Sequence, residues 1–537
     1  MTRSVAFFRL WPLLGICFIA GCGPGGAISV RLAPTVERPK HGVVLFICDG
    51  MCEDLFEQGC REGWLPNFQK RFVAGGTGVT DAITGVPSIT YPILTTYTTG
   101  VEPVRHGIIA NEWFDPRLSL SRRYITIDHY RDVNGDFCYP TIYERMSPKV
   151  SMSIQDPVHV GVTRNISNWA GSGVRWFLKD YTAVDKLTAS TIDFSARWAN
   201  RHGVWPDLLV CYFPAVDTVG HRNGVDSRRY RESIEHLDYQ VGRICDWLEA
   251  EELLDTTTLI LVADHGLAPV GHDGYVELEK IIRCHMKRRL KVMHYQDTPI
   301  EDRSNHFNRY DAVLVRSAVR FATVHFAGRL GWNDPLPPEE VRAILNMPPE
   351  GRRFWDLAGV DLVAFLTSDN AAELRSTQGT ARVESRQGDD GPEFRYVPSP
   401  DDIFGYLQNE RLASFVAKGF HAPREWLAAT CEETYPDVVP RLIPLLHHPR
   451  TGQVVLFAAR GYSFGNQASG HGGIHRDEMR IPMCFAGPGI PAGGRIPLAH
   501  ATDIAPTIMD CLGCEVSDGE MDGRSLLEEI KKSTQTP

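Results

Sequence analysis

Four short, mostly apolar runs constrain the fold of this chain more than any other feature. They cover residues 42–48, 207–213, 258–263 and 481–486, and the residues that follow them include Asp49, Asp217, Asp264 and Gly487, respectively. The apolar residues are continuous rather than alternating, which is typical of strands that are buried on both faces. We therefore expect several neighbouring strands in one sheet whose two faces are both covered.

Amphipathic helical stretches separate these runs and set the fold class. The clearest, residues 227–252, carries a continuous apolar stripe. Strands that alternate with such helices predict an α/β fold with a mostly parallel central sheet. In sheets of this kind, ligands gather beyond the carboxyl ends of the strands. Three of the runs place an aspartate there, so we expect the three carboxylates to line one site.

The length and composition allow a large catalytic core with an inserted region. The chain has 537 residues, and its net charge of −10 gives no basic surface for specific nucleic-acid binding. We predict a catalytic core in two parts, residues 41–280 and 451–537, with residues 281–450 as an inserted cap or accessory region. Residues 452–457 are expected to be the strand that returns the chain to the core.

The N-terminus has the pattern of an export signal. Arg3 and Arg9 accompany an apolar run, 10–20, that is too short to span a bilayer. The run ends in Ile-Ala-Gly-Cys22, which resembles a bacterial lipobox. We expect residues 1–21 to be a lipoprotein signal, Cys22 to be lipidated, residues 22–40 to form a tether, and the protein to be held at the bacterial cell envelope. A plain secretory signal and a retained anchor are the alternatives.

The cysteines allow disulfides without requiring them. Of the 13 cysteines, Cys17 and Cys22 belong to the signal, which leaves an odd number and at least one free thiol. The closely spaced pair Cys52 and Cys60 and the pair Cys511 and Cys514 are both candidates for a disulfide in an exported protein. The second pair is also a weak signal for metal or redox chemistry.

Seven residues form the candidate site. Three carboxylates, three imidazoles and one hydroxyl suit two divalent metal ions around a nucleophilic threonine, which points to phosphoryl transfer. Each alone has an ordinary alternative, namely a hydrogen-bonded loop histidine or a helix-capping threonine. We expect the DxxxH pair 217/221 to lie in a loop and the threonine to lie close to a helix N-terminus. The seven residues are Asp49, Thr90, Asp217, His221, Asp264, His265 and His471.

The order of the motifs resembles the alkaline phosphatase superfamily, and in particular its type I phosphodiesterase/nucleotide pyrophosphatase branch. The likeness covers residues of about 41–270 and 450–515, and it implies a three-layer α/β sandwich. The motifs that carry it are, in order, Asp49-Gly50-Met51, Thr90-Tyr91-Pro92, the segment 106–111, Asp217 with His221, residues 263–266 and residues 470–472.

This resemblance implies a role for each site residue. It implies two divalent ions, expected to be zinc, each held by three residues: Asp217, His221 and His471 at one, and Asp49, Asp264 and His265 at the other. Thr90, which the second ion also coordinates, attacks phosphorus, water then hydrolyses the phosphothreonine, and Asn111 donates to a non-bridging phosphate oxygen. The substrate is a phosphate ester whose leaving group the sequence does not identify.

Other interpretations stay open. A phosphomonoesterase of the same superfamily needs an extra cation beside the phosphate, for which Arg105 is the candidate. A catalytically inactive, surface-tethered binding protein is a different class. His475 is expected to be a surface loop histidine rather than a ligand. Ile93 and Leu94 stand where nucleotide phosphodiesterases often carry a polar residue, and we expect them to make the mouth of the site apolar.

Overall fold

A computed structural model describes residues 28–126, 128–167, 172–173, 175, 178–293, 306–347 and 352–535. The predicted signal, Cys22 and the first part of the predicted tether lie outside these residues. Among the helices that are described, none combines the length and the apolar character needed to cross a membrane.

The strands of the described residues number twenty-two and are labelled in chain order. They are β1 Gly42–Cys48, β2 Gly76–Ile83, β3 Glu112–Asp115, β4 Leu120–Arg123, β5 Ser151–Ile154, β6 Arg164–Ile166, β7 Leu208–Phe213, β8 Thr257–Val262, β9 Ala268–Tyr275, β10 Leu290–Met293, β11 Ala312–Ser317, β12 Phe321–Phe326, β13 Val360–Ser368, β14 Ala371–Ser376, β15 Gly379–Gly388, β16 Gly391–Pro398, β17 Val454–Ala458, β18 Gly461–Ser463, β19 Ser469–Gly470, β20 Met483–Ala486, β21 Gly494–His500 and β22 Thr534–Gln535.

The helices of eight or more residues fall between these strands. They are Glu53–Glu62, Thr90–Thr99, Thr182–Ser190, Ile192–His202, Ala215–Asn223, Arg228–Ala250, Pro338–Asn346, Glu410–Ala417, Pro423–Thr430, Val439–His447 and Ile504–Cys511. Shorter helices include Pro103–His106, Val133–Asp136, Ile142–Arg145, Arg476–Met479 and Leu527–Lys531.

The first sheet confirms the predicted α/β class. Its strand order is β22-β21-β2-β20-β8-β1-β7-β5-β6. All neighbours pair in parallel except at β20 and β22, which run antiparallel to the strands beside them. The four apolar runs are β1, β7, β8 and β20, and every residue of β1 is buried. The sheet is therefore mixed but mostly parallel.

Three adjacent parallel strands place the predicted carboxylates at one edge. β1 lies between β7 and β8 and is parallel to both. β1 ends one residue before Asp49, β8 ends two residues before Asp264, and β7 ends four residues before Asp217. Because parallel strands share a direction, their carboxyl ends meet, and the three aspartates converge there.

The second sheet is built from residues between the two parts of the first. Its order is β10-β11-β12-β17-β13-β14-β15-β16, with every pair antiparallel except β10 with β11. Alternate residues of β13 pack to opposite sides, Leu362 against the helix Val439–His447 and Val363 against the helix Pro338–Asn346. Helices therefore cover this sheet on both faces.

Two sequence predictions differ from the structure at the borders of these sheets. The strand predicted at 452–457 forms as β17 but pairs with β12 and β13 in the second sheet, so it does not return the chain to the first. The described part of the predicted tether, residues 28–40, is packed on the body. Leu32 and Val36 are buried, and Asp193 accepts hydrogen bonds from the backbone N–H of Ser29 and Val30.

Neither candidate disulfide is formed in the structure. All eleven cysteines in the described residues are free thiols, which include both candidate pairs. Cys52 instead accepts a hydrogen bond from the hydroxyl of Tyr230 at 3.2 Å.

Candidate metal centre

The ends of β1 and β8 bring Asp49, Asp264 and His265 together. The His265 Nε2 atom lies 3.5 Å from Asp49 Oδ1 and 3.3 Å from Asp264 Oδ2. Asp264 is fixed through its other oxygen, which accepts from the backbone N–H of Gly50 at 3.1 Å and of His265 at 3.0 Å. One oxygen of Asp264 therefore anchors the loops while the other faces the cluster.

Asp217 and His221 lie on a helix, not in the loop expected from the sequence. The helix Ala215–Asn223 places them one turn apart on one face, with Asp217 Oδ1 at 3.2 Å from His221 Nε2. His471 comes from the glycine-rich segment after β19, and its Nε2 atom lies 3.7 Å from Asp217 Oδ1. This second cluster is the trio predicted for one ion.

All three histidines present the same nitrogen to the carboxylates. The Nδ1 atoms of His221, His265 and His471 lie 2.8, 3.1 and 2.9 Å from the backbone carbonyls of Ser469, Gly266 and Ser88, respectively. A carbonyl only accepts, so each Nδ1 carries the proton and each Nε2 keeps a free lone pair. A metal-binding imidazole needs this tautomer, and its second nitrogen is held in this way in known sites.

The carboxylates are buried at a high electrostatic cost. Asp49 Oδ1, Asp217 Oδ1 and Asp264 Oδ2 are buried and have no hydrogen-bond partner among the residues that the structure describes. Burial raises the pKa of Asp49 well above its ordinary value, and the charges of Asp264 and Asp217 raise it further. Burial also raises the pKa of Asp264. The negative charge of buried carboxylate oxygens that converge in this way is balanced when cations lie among them.

The geometry of the ligand atoms fits two cations. Asp217, His221 and His471 form one group, and Asp49, Asp217 and His265 form a second, with the ligand atoms in each group within 4.8 Å of one another. Asp217 thus faces both groups, while Asp264 joins the second through its contact with His265. Carboxylate oxygens with neutral imidazoles are ligands that zinc favours. Burial, with His265 and His221 nearby, lowers the pKa of His471 well below its ordinary value, which keeps this imidazole neutral.

Thr90 begins a helix beside this centre. The helix Thr90–Thr99 starts at this residue, as the sequence predicted to within three residues. Its Oγ1 atom lies 3.1 Å from His265 Nε2, so the hydroxyl faces the candidate ligands, and Thr90 is buried with 6% of its surface exposed. The free N–H groups and the dipole of a helix N-terminus favour an anion at this position.

Asn111 lies beside Thr90 with its side chain oriented. Its Oδ1 atom accepts from the backbone N–H of Tyr91 at 3.0 Å. Since an N–H only donates, the oxygen is assigned and the Nδ2 amide is the group left to donate elsewhere. The structure therefore brings all seven predicted site residues and Asn111 into one region.

Four other residues that the sequence analysis considered lie outside this centre. Arg105 donates to Asp522 and to the Tyr139 hydroxyl, so its charge is already paired. His475 caps the helix Arg476–Met479 by accepting from Asp477 N. Ile93 and Leu94 are fully buried in the hydrophobic core and do not shape the mouth of the site, contrary to expectation.

One residue of the site was not identified from the sequence. The hydroxyl of Tyr212, in β7, donates to Asp49 Oδ2, and this fixes the carboxylate with Oδ1 turned to the cluster. The available signal was a tyrosine within an otherwise apolar buried strand, where a hydroxyl needs a partner.

Comparison with known proteins agrees with the resemblance found from the motifs. The model of the family described as type I phosphodiesterase/nucleotide pyrophosphatase matches residues 43–325, just over half of the chain. A Schizosaccharomyces pombe protein described as an uncharacterised pyrophosphatase/phosphodiesterase is 24% identical over 296 residues, which are 54% of this chain and 57% of that protein. Human ectonucleotide pyrophosphatase/phosphodiesterase family member 5 is 26% identical over 200 residues, 36% of this chain and 39% of that protein. The chain thus spans little more than half, or less, of these relatives.

A solved structure shares the fold. Murine ectonucleotide pyrophosphatase/phosphodiesterase 5 superposes with a TM-score of 0.56 at 15% identity, over 92% of this chain and all of that one. This likeness confirms the predicted architecture, with its mostly parallel central sheet.

Proposed function

Since this chain belongs to the type I phosphodiesterase/nucleotide pyrophosphatase family, we propose that it is a metal-dependent hydrolase of phosphate diesters with Thr90 as nucleophile. One observation carries the proposal. Three buried carboxylate oxygens that have no hydrogen-bond partner in the described part of the chain converge with three imidazole Nε2 atoms beside a hydroxyl at a helix N-terminus. A purely structural cluster would leave this charge uncompensated.

The ligand assignment follows the two clusters. Asp217, His221 and His471 would hold one ion, and Asp49, Asp264 and His265 the other. We propose zinc at both, because imidazole nitrogen and carboxylate oxygen atoms are among its usual ligands. When bound, two such ions supply charge neutralisation for the phosphate and lower the pKa of the attacking group.

The residues of the chain then act on the substrate in two steps. Thr90 Oγ1 forms a bond to phosphorus as the bond to the leaving oxygen breaks. Water then hydrolyses the phosphothreonine and returns Thr90 to its free form. The Asn111 amide donates to a non-bridging oxygen, and the helix N-terminus stabilises the negative charge that the phosphate carries throughout.

A diester is the substrate class that the surroundings favour. A monoester carries one more negative charge than a diester and needs a further cation. Arg105 was the candidate for that cation, but Asp522 already pairs its guanidinium. We therefore propose a preference for diesters.

The preference is tested with bis-p-nitrophenyl phosphate against p-nitrophenyl phosphate, using the chain without residues 1–22 loaded with zinc. We expect kcat/KM to be higher for the diester, and faster monoester turnover would reverse the proposal. Metal analysis is done on the same sample. Less than one ion per chain together with no turnover of either ester would identify an inactive binding protein instead.

We also propose that the protein is exported and anchored through a lipid on Cys22. The support is the sequence Ile-Ala-Gly-Cys22 after a short apolar run. Detergent phase partitioning of the full chain tests it: the wild type should enter the detergent phase, and Cys22→Ser should remain in the aqueous phase. Equal partitioning of the two would contradict the anchor.

A further inference from the structure

The hairpin that joins β11 and β12 of the second sheet reaches the metal centre. Its tip, residues 318–320, lies against the His471 loop, residues 470–473. The His471 backbone N–H donates to the carbonyl of Ala318 at 3.4 Å, and Val319 and His471 form a β-bridge. The inserted region therefore touches a predicted metal ligand directly through its backbone.

The tip holds an unfavourable backbone conformation. Ala318 has φ 49° and Val319 has φ 61°. A β-branched residue in this left-handed region is uncommon, and such strain persists only where the surroundings impose it. Strained residues of this kind cluster at functional sites, so the position of Val319 requires a reason.

Glycines around Val319 show how closely the loop packs on it. A Cβ atom at Gly470 would lie 2.4 Å from Val319 Cγ2, and one at Gly465 would lie 2.5 Å from Val319 Cγ1. Phe464 N also donates to the carbonyl of Val319 at 2.6 Å. The valine side chain is thus a wedge between two segments that any larger residue would push apart.

Arg320 connects the tip to both metal-binding loops. Its Nε and Nη2 donate to the two oxygens of Glu478, and both side chains are completely buried. Its remaining N–H groups donate to the carbonyls of Ala458, Ala459 and Tyr462, so all five donors are satisfied.

Glu478 carries this connection on to the ligands. Its Oε1 atom accepts from Gly473 N, two residues after His471, at 2.8 Å. Its backbone carbonyl accepts from Gly266 N, the residue after His265, at 3.0 Å. The Arg320–Glu478 pair therefore lies behind a ligand of each proposed ion.

We propose that Val319 and Arg320, at the tip of the second sheet, are positioning residues for the metal centre that hold His471 where it can bind an ion. The inference rests on the proposed function, and it assigns the inserted region a part in building the site. Neither residue touches substrate; both act through the His471 loop.

The test compares variants that differ in the wedge but not in the fold. Val319→Gly removes the side chain and also relieves the left-handed strain, so folding is retained. Val319→Thr keeps the size and the β-branching of the wedge. Glu252→Gly is the matched control, because Glu252 also has a positive φ, 59°, but follows the surface helix Arg228–Ala250.

Zinc affinity is measured by chelator competition. We expect Val319→Gly to bind one of the two ions about 10- to 100-fold more weakly, as is typical when support behind a ligand is lost. Val319→Thr and Glu252→Gly should bind both as the wild type does. Wild-type affinity for both ions in Val319→Gly would overturn the inference.

Hydrogen exchange of the metal-free protein separates this inference from the proposed function. Amides of residues 469–473 should exchange about tenfold faster in Val319→Gly, and in the charge-matched Arg320→Met/Glu478→Gln pair, than in the wild type. If the wild type binds no zinc but exchange is faster in the variants, the proposed function is refuted, and the role of Val319 and Arg320 in holding the His471 loop is retained. Unchanged exchange would refute the positioning role whatever the metal content.

Discussion

The imidazole rings of His265 and His471 stack face to face, with centroids 3.6 Å apart and planes inclined by 10°. The His265 ring belongs to the Asp49 cluster and the His471 ring to the Asp217 cluster, so a candidate ligand of one proposed ion is in direct contact with a candidate ligand of the other. The His221 ring also lies near His471, with ring centroids 5.0 Å apart. A change at one site is therefore expected to disturb the other.

Asp264→Asn should reduce the metal content at both sites. The substitution keeps the size of the side chain but removes a charge from the buried cluster, and the stacked histidines transmit the disturbance. We expect fewer than one zinc ion per chain after dialysis, against two in the wild type. Asp246→Asn is the control, since Asp246 is a surface partner of Arg71 with a 68% exposed side chain. Full zinc content in Asp264→Asn would exclude Asp264 as a ligand.

Thr90→Ala should abolish turnover while the ions remain bound. The hydroxyl lies beside His265 Nε2, and its loss removes the nucleophile but leaves in place the carboxylates and imidazoles that would hold the ions. Loss of a covalent nucleophile typically lowers kcat by about 1,000-fold or more. Steady-state assays are paired with metal analysis, and Thr90→Ser should retain part of the activity. Near-normal turnover by Thr90→Ala would exclude the covalent route.

Tyr212→Phe tests the orientation of Asp49. The variant keeps the ring in the buried strand and removes only the hydroxyl that donates to Asp49 Oδ2. Hydrogen bonds behind a ligand commonly contribute about 10- to 100-fold in metal affinity. We expect zinc affinity to fall within that range with little change in thermal stability of the metal-free protein. Tyr91→Phe is a suitable comparison, because the Tyr91 hydroxyl donates to the Tyr124 carbonyl instead.

Local patterns were sufficient to predict the strands and the three aspartates. A strand that is buried on both faces is apolar along its whole length, which the sequence shows directly. The shared direction of parallel strands then places their carboxyl ends at one edge of the sheet. The helix that carries Asp217 and His221 was missed for a physical reason. Gly220 lies inside it and disfavours a helix locally, but a Cβ there would lie 2.4 Å from Leu267, so tight packing requires the glycine.

Contacts between distant segments account for the other differences. The pattern of β17 indicates a strand but not its sheet, which is decided by pairing with β12 and β13 more than 85 residues away in the sequence. Residues 28–40 have no apolar period, yet carboxylates of Asp193 and Glu251 accept their backbone N–H groups. Neither partner is visible in the local sequence.

The free cysteines predict that reduction leaves the protein unchanged. Because all eleven in the described residues are thiols, the denatured chain without residues 1–22 should react with eleven equivalents of a thiol reagent, before or after treatment with a reductant. The unfolding midpoint should be the same with and without reductant. A count two lower before reduction would indicate a disulfide, and Cys511→Ser would then identify whether the Cys511–Cys514 pair forms it.

Asp185→Asn should remove a pH-dependent loss of stability. Asp185 is completely buried, and its Oδ1 atom accepts from Ala215 N at the start of the helix that carries Asp217 and His221. Burial raises the pKa of this carboxyl from 3.8 to about 8. The folded protein therefore binds a proton that the unfolded chain has released between these values, so the stability of the wild type falls as pH rises through this window. Asparagine keeps the acceptor and has no charge to bury.

The free energy of unfolding of Asp185→Asn should therefore exceed that of the wild type by an amount that grows from pH 4 to pH 8, to a few kcal/mol, since one pKa unit corresponds to about 1.4 kcal/mol. Urea unfolding of both proteins with chelator present measures this difference, in which the other buried acids cancel. A difference that is constant with pH would show that Asp185 is ionised in the folded protein.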